Sequence, residues 1–127
     1  MDDLKDIVFT YKEHTGYIKI NRPPNNFFDS DLIRQIADVL EEMDKKQDCR
    51  SIILYSEGKH FCAGADFSRS NFKNESEAYS ALYDQAVRLF RTSKPIIAII
   101  QGAAVGGGLG VCLLYTSDAA DESVGGD

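Results

Sequence analysis

The alternation of apolar and polar residues near the start of the chain predicts a β-hairpin. Runs rich in β-branched and aromatic residues cover positions 7–12 and 17–21, and residues 13–16 between them are of the kinds that form turns. Arg22-Pro23-Pro24 ends the second strand, because proline has no backbone N–H to donate to a β-ladder. The pattern therefore predicts two antiparallel strands that stop at this proline pair.

Apolar residues then recur at steps of three and four, which is the spacing of one helix face. Asp29 or Ser30 can cap this predicted helix, which ends near Lys45. The apolar face consists of Leu32, Ile33, Ile36, Val39, Leu40 and Met43. The helix is therefore predicted to be amphipathic.

Two further runs have almost no polar alternation, which is typical of strands covered on both faces. They span residues 51–55 and 96–100, and each is followed by a glycine-bearing loop. A second helix is predicted between them over residues 75–91, with an apolar side made of Ala78, Leu82, Ala86, Leu89 and Phe90. Tyr79, Tyr83 and Phe90 lie at helical spacing, which favours a core or cleft-lining role over contact with a cofactor. The alternation of strands and helices indicates an α/β fold.

The two glycine-bearing loops, residues 58–66 and 101–110, are the most informative segments of the chain, and we call them the first and the second glycine loop. Glycine lets backbone N–H groups approach a ligand closely, and two such donors aimed at one point stabilise a developing oxyanion. This pairing points to carbonyl or thioester chemistry. Nucleotide binding is excluded, because a dinucleotide fingerprint would need glycine where Val111 stands, and a P-loop would need lysine where Gly108 stands. Close packing of a helix on a strand is the alternative role for these small residues.

Several short motifs, taken together, resemble the enoyl-CoA hydratase/isomerase (crotonase) superfamily. They are Asn21-Arg22-Pro23, the Phe-x-Ala-Gly-Ala-Asp segment of residues 61–66, Lys94-Pro95 before an isoleucine-rich strand, and Gly102-x-x-x-Gly106-Gly107-Gly108. The resemblance runs from about residue 7 to residue 111. It implies a crotonase-like α/β spiral of ββα units, an acyl-CoA thioester as substrate, and a homotrimer or hexamer as the assembly.

The resemblance also implies roles for particular residues of the two loops. The backbone N–H groups of Ala65 and Gly107 would form an oxyanion hole for the thioester carbonyl and stabilise a thioester enolate. The residues expected along the coenzyme A portion of the substrate are Ala63, Asp66, Phe67 and Ser68. Capping of the following turn is an equally good explanation for Asp66. No cofactor is implied beyond the coenzyme A that the substrate itself carries.

One departure from the family pattern concerns the acid and base of the reaction. Hydratases of this family have a glutamate two residues after the glycine triplet, where this chain has Gly110. The second glutamate of the family would lie beyond Val111. Hydration, isomerisation and related enolate reactions therefore stay open. So does a non-catalytic member of the fold that binds coenzyme A thioesters or a protein partner.

The last sixteen residues differ in composition from the rest. They hold four of the 20 acidic residues and no Lys or Arg, which leaves fourteen basic and sixteen acidic residues, a net charge of −2, in residues 1–111. Residues 112–122 match the translation of a sequencing adapter. We therefore expect residues 1–111 to be the N-terminal part of a crotonase-fold domain, truncated before its C-terminal helices, and residues 112–127 to be a non-native tail. A genuine acidic tail is the alternative. The 127-residue chain is expected to be inactive by itself.

Charge and cysteine content limit which partners and which compartment are expected. Near-neutral charge in residues 1–111 gives no electrostatic reason to expect nucleic acid or an anionic membrane, and no run approaches the length of a membrane span. Outside the tail, Cys49 and Cys62 are too few for a disulfide framework, which favours a reducing cytoplasm. Cys62 has no evident activating base, which indicates a packed thiol. His14 and His60 lack further ligands at suitable spacing, so no metal site is predicted.

Overall fold

The computed structural model describes residues 4–23, 26–62, 64 and 73–102. Within these ranges the elements are β1 (Ile7–Lys12), β2 (Thr15–Ile20), α1 (Ser30–Lys45), β3 (Ser51–Ser56), α2 (Glu75–Leu89) and β4 (Ile96–Ala98). The strands form one sheet in the order β1-β2-β3-β4. β1 is antiparallel to β2, whereas β2, β3 and β4 are parallel to one another. The predicted α/β class is confirmed.

The opening hairpin is tighter than the sequence pattern predicts. Thr15 already pairs with Lys12, so the turn consists of Glu13 and His14, and Glu13 has a φ of 56°. The predicted four-residue turn is wrong because its last two residues extend the ladder. At Gly16 an added Cβ would lie only 2.7 Å from Sδ of Met43 in α1. A residue without a side chain therefore lets α1 approach β2 closely.

The helix α1 and the sheet form the core. The Asp29 side chain caps the helix by accepting a hydrogen bond from the Leu32 N–H at 2.9 Å, which confirms one of the two predicted caps. All six residues of the predicted apolar face are buried. They cluster with the buried strand residues Ile7, Ile18, Ile20, Ile52, Leu54, Ile96 and Ala98. Burying one large apolar side chain contributes about 1.5–3 kcal/mol, so this cluster is the main source of stability.

The other face of the sheet is less covered than predicted. Buried residues alternate with half-buried ones along β3, and Ile97 in β4 is 53% exposed. The prediction of burial on both faces is wrong for β4, because Ile96 and Ala98 belong to the core cluster whereas the opposite face, which carries Ile97, is left uncovered. β4 also ends at Ala98 rather than at residue 100, although the Ile99 N–H still donates to the Leu54 carbonyl oxygen at 2.8 Å.

The second helix, α2, is shorter than predicted. Its cap is Asn74, whose Oδ1 accepts from the Glu77 N–H at 2.8 Å, and it ends at Leu89 rather than at residue 91. Phe90 lies after the last helical residue and is 70% exposed, so its predicted place on the apolar side is wrong. Tyr79 and Tyr83 are exposed as well and do not belong to the core. Neither described helix is long and apolar enough to cross a membrane.

Two charged contacts fix α1 to the segments that follow it in the chain. Arg88 of α2 pairs with Glu41 of α1 at 2.7 Å, and this hydrogen bonding lowers the pKa of the Glu41 carboxyl. Lys94 donates through Nζ to the carbonyl oxygen of Lys46 at 2.6 Å and to that of Met43. These carbonyls lie at the C-terminal end of α1, where a cation complements the helix dipole. The predicted Lys94-Pro95 motif therefore contributes a helix cap.

Candidate functional site

The two glycine loops begin at the same edge of the sheet. Since β3 and β4 are parallel neighbours, their carboxyl ends lie side by side, and so do the loops that follow them. The N–H of Phe61 in the first loop donates to the carbonyl oxygen of Gln101 in the second loop at 2.8 Å. The structure thus joins the bases of the two loops directly.

The Gln101 side chain ties the second loop to the end of β3. Its Nε2 donates to the carbonyl oxygen and to the hydroxyl oxygen of Ser56, both at 2.9 Å. The Ser56 hydroxyl in turn donates to the His60 carbonyl oxygen at 3.3 Å. Sequence reasoning missed this role, because a single polar residue after an apolar run shows no partner until the strands are paired.

Gly102 brings the second loop into van der Waals contact with the first. Its φ is +60°, and an added Cβ would lie 2.2 Å from the Lys59 carbonyl oxygen and 2.5 Å from Nδ1 of His60. Neither the backbone conformation nor the available space admits a side chain. The first glycine of the Gly-x-x-x-Gly-Gly-Gly motif is therefore required by loop packing.

Residues 26–28 also hold the first glycine loop. The Phe28 N–H donates to the carbonyl oxygen of Gly64 at 2.9 Å. The Asn26 side chain donates through Nδ2 to the carbonyl oxygens of His60, at 2.6 Å, and of Glu57. Gly64 itself has a φ of 128°, which favours glycine. These contacts fix the backbone that leads directly into residue 65.

The side chains at the start of the first loop are packed inward. Phe61 and Cys62 are fully buried, and the ring of Phe61 packs at a tilt on Phe28 with centroids 6.2 Å apart. The thiol of Cys62 contacts the backbone of Gly64 at 3.4 Å. This burial confirms the prediction of a packed thiol at Cys62.

A buried ion-pair cluster that sequence reasoning did not foresee contacts residues 26 and 27 through Arg22. Arg22 pairs with Asp6 at 2.8 Å and with Asp29 at 3.0 Å, and all three side chains are at most 10% exposed. Burial lowers the pKa of Arg22, but the hydrogen bonds and charges of the two aspartates outweigh it and leave the pKa raised. Gln35 binds Asp6 through its side-chain amide at 2.9 Å. The Asn21-Arg22-Pro23 motif was the only sequence signal of this cluster.

The predicted site residues themselves lie outside the described residues. They are Ala63, Ala65, Asp66, Phe67, Ser68 and Gly107. Their roles therefore stay predictions, and the structure gives the arrangement of the neighbouring Gly64 and Gly102. Among the described residues, no group of three or more His, Cys, Asp or Glu side chains could hold a metal ion.

Comparison with known proteins adds sequence evidence to this geometry. The chain matches the enoyl-CoA hydratase/isomerase family over residues 10–122. It is 36% identical over 123 residues to YngF of Bacillus subtilis, provisionally assigned as an enoyl-CoA hydratase/isomerase, with 92% of this chain and 47% of that protein covered. It is 32% identical over 111 residues to (E)-benzylidenesuccinyl-CoA hydratase of Thauera aromatica, with 84% and 43% covered. The chain spans less than half the length of these curated relatives.

Solved structures agree with the sequence comparison. The structure of Pseudomonas aeruginosa DspI superposes with a TM-score of 0.79 at 28% identity, covering 91% of this chain and 49% of that one. The enoyl-CoA hydratase of Bacillus anthracis gives a TM-score of 0.75 at 28% identity, covering 87% and 45%. The predicted crotonase-like fold is thereby confirmed. The chain belongs to the enoyl-CoA hydratase/isomerase family.

Proposed function

We propose that the complete protein acts on an acyl-CoA thioester and stabilises a thioester enolate between the backbone N–H groups of Ala65 and Gly107. The observation that carries this proposal is the hydrogen bond from Phe61 to Gln101, which joins the two glycine loops at one sheet edge. Two donors on neighbouring loops can converge on a single oxygen only if the loop bases are held together. Such donors contribute about 2.7–4 kcal/mol each to transition-state stabilisation in comparable acyl-transfer sites.

The remaining residues of the first loop are proposed to line the coenzyme A portion of the substrate. They are Ala63, Asp66, Phe67 and Ser68. All follow the Phe61–Cys62 anchor within six residues, so an extended ligand on this loop would pass them in turn. The coenzyme A is part of the substrate, and the proposal requires no separate cofactor.

The reaction we favour is proton transfer within the acyl chain. Gly110 stands where hydratases of this family carry a glutamate, and addition of water in this family uses two acids. A carboxylate outside the 1–111 segment would then act alone as acid and base. The same observation supports the second candidate, a non-catalytic member that binds coenzyme A thioesters or a protein partner.

The proposal extends to the assembly and the compartment of the complete protein. We expect the complete protein to form a homotrimer or hexamer and to work in the cytoplasm on its acyl-CoA substrate. The 127-residue chain is expected to lack turnover by itself, because the face of β4 that carries Ile97 is exposed and a bare apolar face should leave the chain marginally stable.

Calorimetric titration of the complete protein tests the ligand class. We expect acetoacetyl-CoA to bind at least about tenfold more tightly than free coenzyme A, a difference of about 1.4 kcal/mol, because only the thioester presents a carbonyl to the two N–H groups. Ala65→Pro removes one donor and should abolish that preference, whereas Gln47→Pro, in the exposed turn after α1, should leave it unchanged. Equal affinity for both ligands in the unaltered protein would rule out the oxyanion hole, and fast hydration of crotonyl-CoA would refute the preference for isomerisation.

A further inference from the structure

Asn26 occupies an unusual position between the hairpin and the first glycine loop. It is fully buried and has a φ of 52°, a left-handed conformation that asparagine tolerates better than most residues. It lies next to the buried ion-pair cluster, because its neighbour in space, Arg22, is the cation of that cluster. A polar side chain without any solvent contact must have its hydrogen bonds satisfied within the protein.

Every hydrogen-bonding atom of the Asn26 side chain has a partner. Oδ1 accepts from the Arg22 backbone N–H at 2.8 Å, and the two hydrogens of Nδ2 go to the carbonyl oxygens of Glu57 and His60. The two carbonyl acceptors face Nδ2 and the N–H donor faces Oδ1, so the orientation of the amide is fixed. No other residue type supplies one acceptor and two donors on so short a stem.

The contacts of Asn26 link the buried ion-pair cluster to the first glycine loop. The Arg22 end of the link is held by two buried aspartates, and one of them, Asp29, also caps α1. The loop end of the link holds residues 57 and 60, and Phe28 holds Gly64 through its N–H. The loop is thus fixed at three backbone carbonyls over eight residues.

We propose that Asn26 is a positioning residue for acyl-CoA chemistry in this protein. Its hydrogen bonds connect the Arg22 cluster to residues 57–64 and restrict the motion of that segment. They thereby set the direction of the Ala65 N–H. This inference rests on the proposed oxyanion hole for its last step, from Gly64 to Ala65. Its first step, the immobilisation of the loop by Asn26, concerns described residues only.

Two variants of the complete protein separate the side-chain bonds from the backbone conformation. Asn26→Gly keeps the left-handed φ without strain and loses all three side-chain bonds. Asn26→Asp keeps the shape and the acceptor for Arg22, but sets a carboxylate oxygen against the two carbonyl oxygens. The matched control is Asn74→Gly, which removes the side-chain cap at the exposed start of α2 and none of the Asn26 hydrogen bonds.

Native-state amide hydrogen exchange tests the first step. We expect exchange at Phe61, Cys62 and Gly64 to become at least about tenfold faster in Asn26→Gly, while β1 and β2 amides change little. Asn74→Gly should leave the loop amides unchanged. A uniform increase over the whole chain, or no increase in the loop, would overturn the positioning role. In the unaltered protein the Phe28 and Phe61 amides should exchange as slowly as those of α1, and exchange at the rate of an exposed loop would overturn it without any variant.

Binding of acetoacetyl-CoA and of free coenzyme A tests the second step. We expect Asn26→Gly and Asn26→Asp to lose about tenfold in affinity for the thioester with little change for free coenzyme A. If the loop loosens and the thioester preference of the unaltered protein persists in the variants, Asn26 does not position the donor. If the unaltered protein shows no such preference, the proposed oxyanion hole fails, and the exchange data alone decide whether Asn26 immobilises the loop.

Discussion

The Phe61 N–H and the Gln101 carbonyl oxygen, 2.8 Å apart, form the hydrogen bond that joins the two glycine loops of this protein. The two residues are forty positions apart in the chain and meet because β3 and β4 are parallel neighbours. The Gln101 side chain adds two hydrogen bonds to Ser56 at the end of β3. The backbone of Gln101 therefore joins the two loops, and its side chain ties the second loop to the end of β3.

Replacing Gln101 by leucine should destabilise the protein by about 1–3 kcal/mol, because the carbonyl and hydroxyl oxygens of Ser56 lose the hydrogen bonds from Gln101 Nε2. Urea denaturation measures the change in the free energy of unfolding. Gln47→Leu is the matched control, since Gln47 is exposed, and it should stay within about 0.5 kcal/mol of the unaltered protein. Equal effects of the two substitutions would show that the Gln101 amide does not hold the loops.

Two glycines should respond differently to alanine. At Gly102 the added Cβ meets the Lys59 carbonyl oxygen at 2.2 Å and the residue has a φ of +60°, so both backbone segments must move. At Gly16 the added Cβ meets the side chain of Met43, which is flexible and can shift. We expect Gly102→Ala to cost at least about 2 kcal/mol and more than Gly16→Ala in thermal or urea unfolding. The reverse order would contradict the tight contact between the loops.

Removing the cation of the buried cluster should be severe. Arg22→Met removes the cation that pairs with the buried carboxylates of Asp6 and Asp29, which is expected to cost about 3–5 kcal/mol in the free energy of unfolding. Arg34→Met serves as the control, because the ion pairs of Arg34 with Asp31 and Asp38 are about one-third exposed and should contribute less than about 1 kcal/mol. A loss at Arg22 no larger than at Arg34 would disprove the structural importance of the cluster.

The ion pair between the two helices predicts that the stability of the protein depends on pH. Hydrogen bonding to Arg88 lowers the pKa of Glu41 below its ordinary value of 4.5. Stability from this pair is therefore complete above that ordinary value and is lost as the pH falls through the lowered folded-state pKa. The carboxyl is 45% exposed, so a double-mutant cycle with Glu41→Gln and Arg88→Gln should give a coupling energy of at most about 1 kcal/mol near neutral pH. That energy should shrink as the pH is lowered below 4.5, and a coupling that grows on acidification would contradict the pairing.

The sequence by itself determined the elements whose pattern is local. The spacing from Leu32 to Met43 predicted a buried helix face, and the residues that precede it supplied Asp29 as the cap. The proline after Arg22 marked the end of the hairpin, and the glycine residues marked the two loops that follow β3 and β4. These features depend on backbone conformation and on the burial of one face, and both can be predicted from residues close together in the sequence.

Only the tertiary structure decided which distant residues meet. The partners of Asn26 at positions 57 and 60 depend on how loops cross, and so does the ion pair between Asp6 and Arg22. Periodicity also misplaced Phe90 and Ile97, because a residue's exposure depends on whether another element packs over it. A hydrogen bond or an ion pair between distant segments leaves no periodic trace in the chain. The fold fixes it, by bringing strand ends and loops to one edge of the sheet.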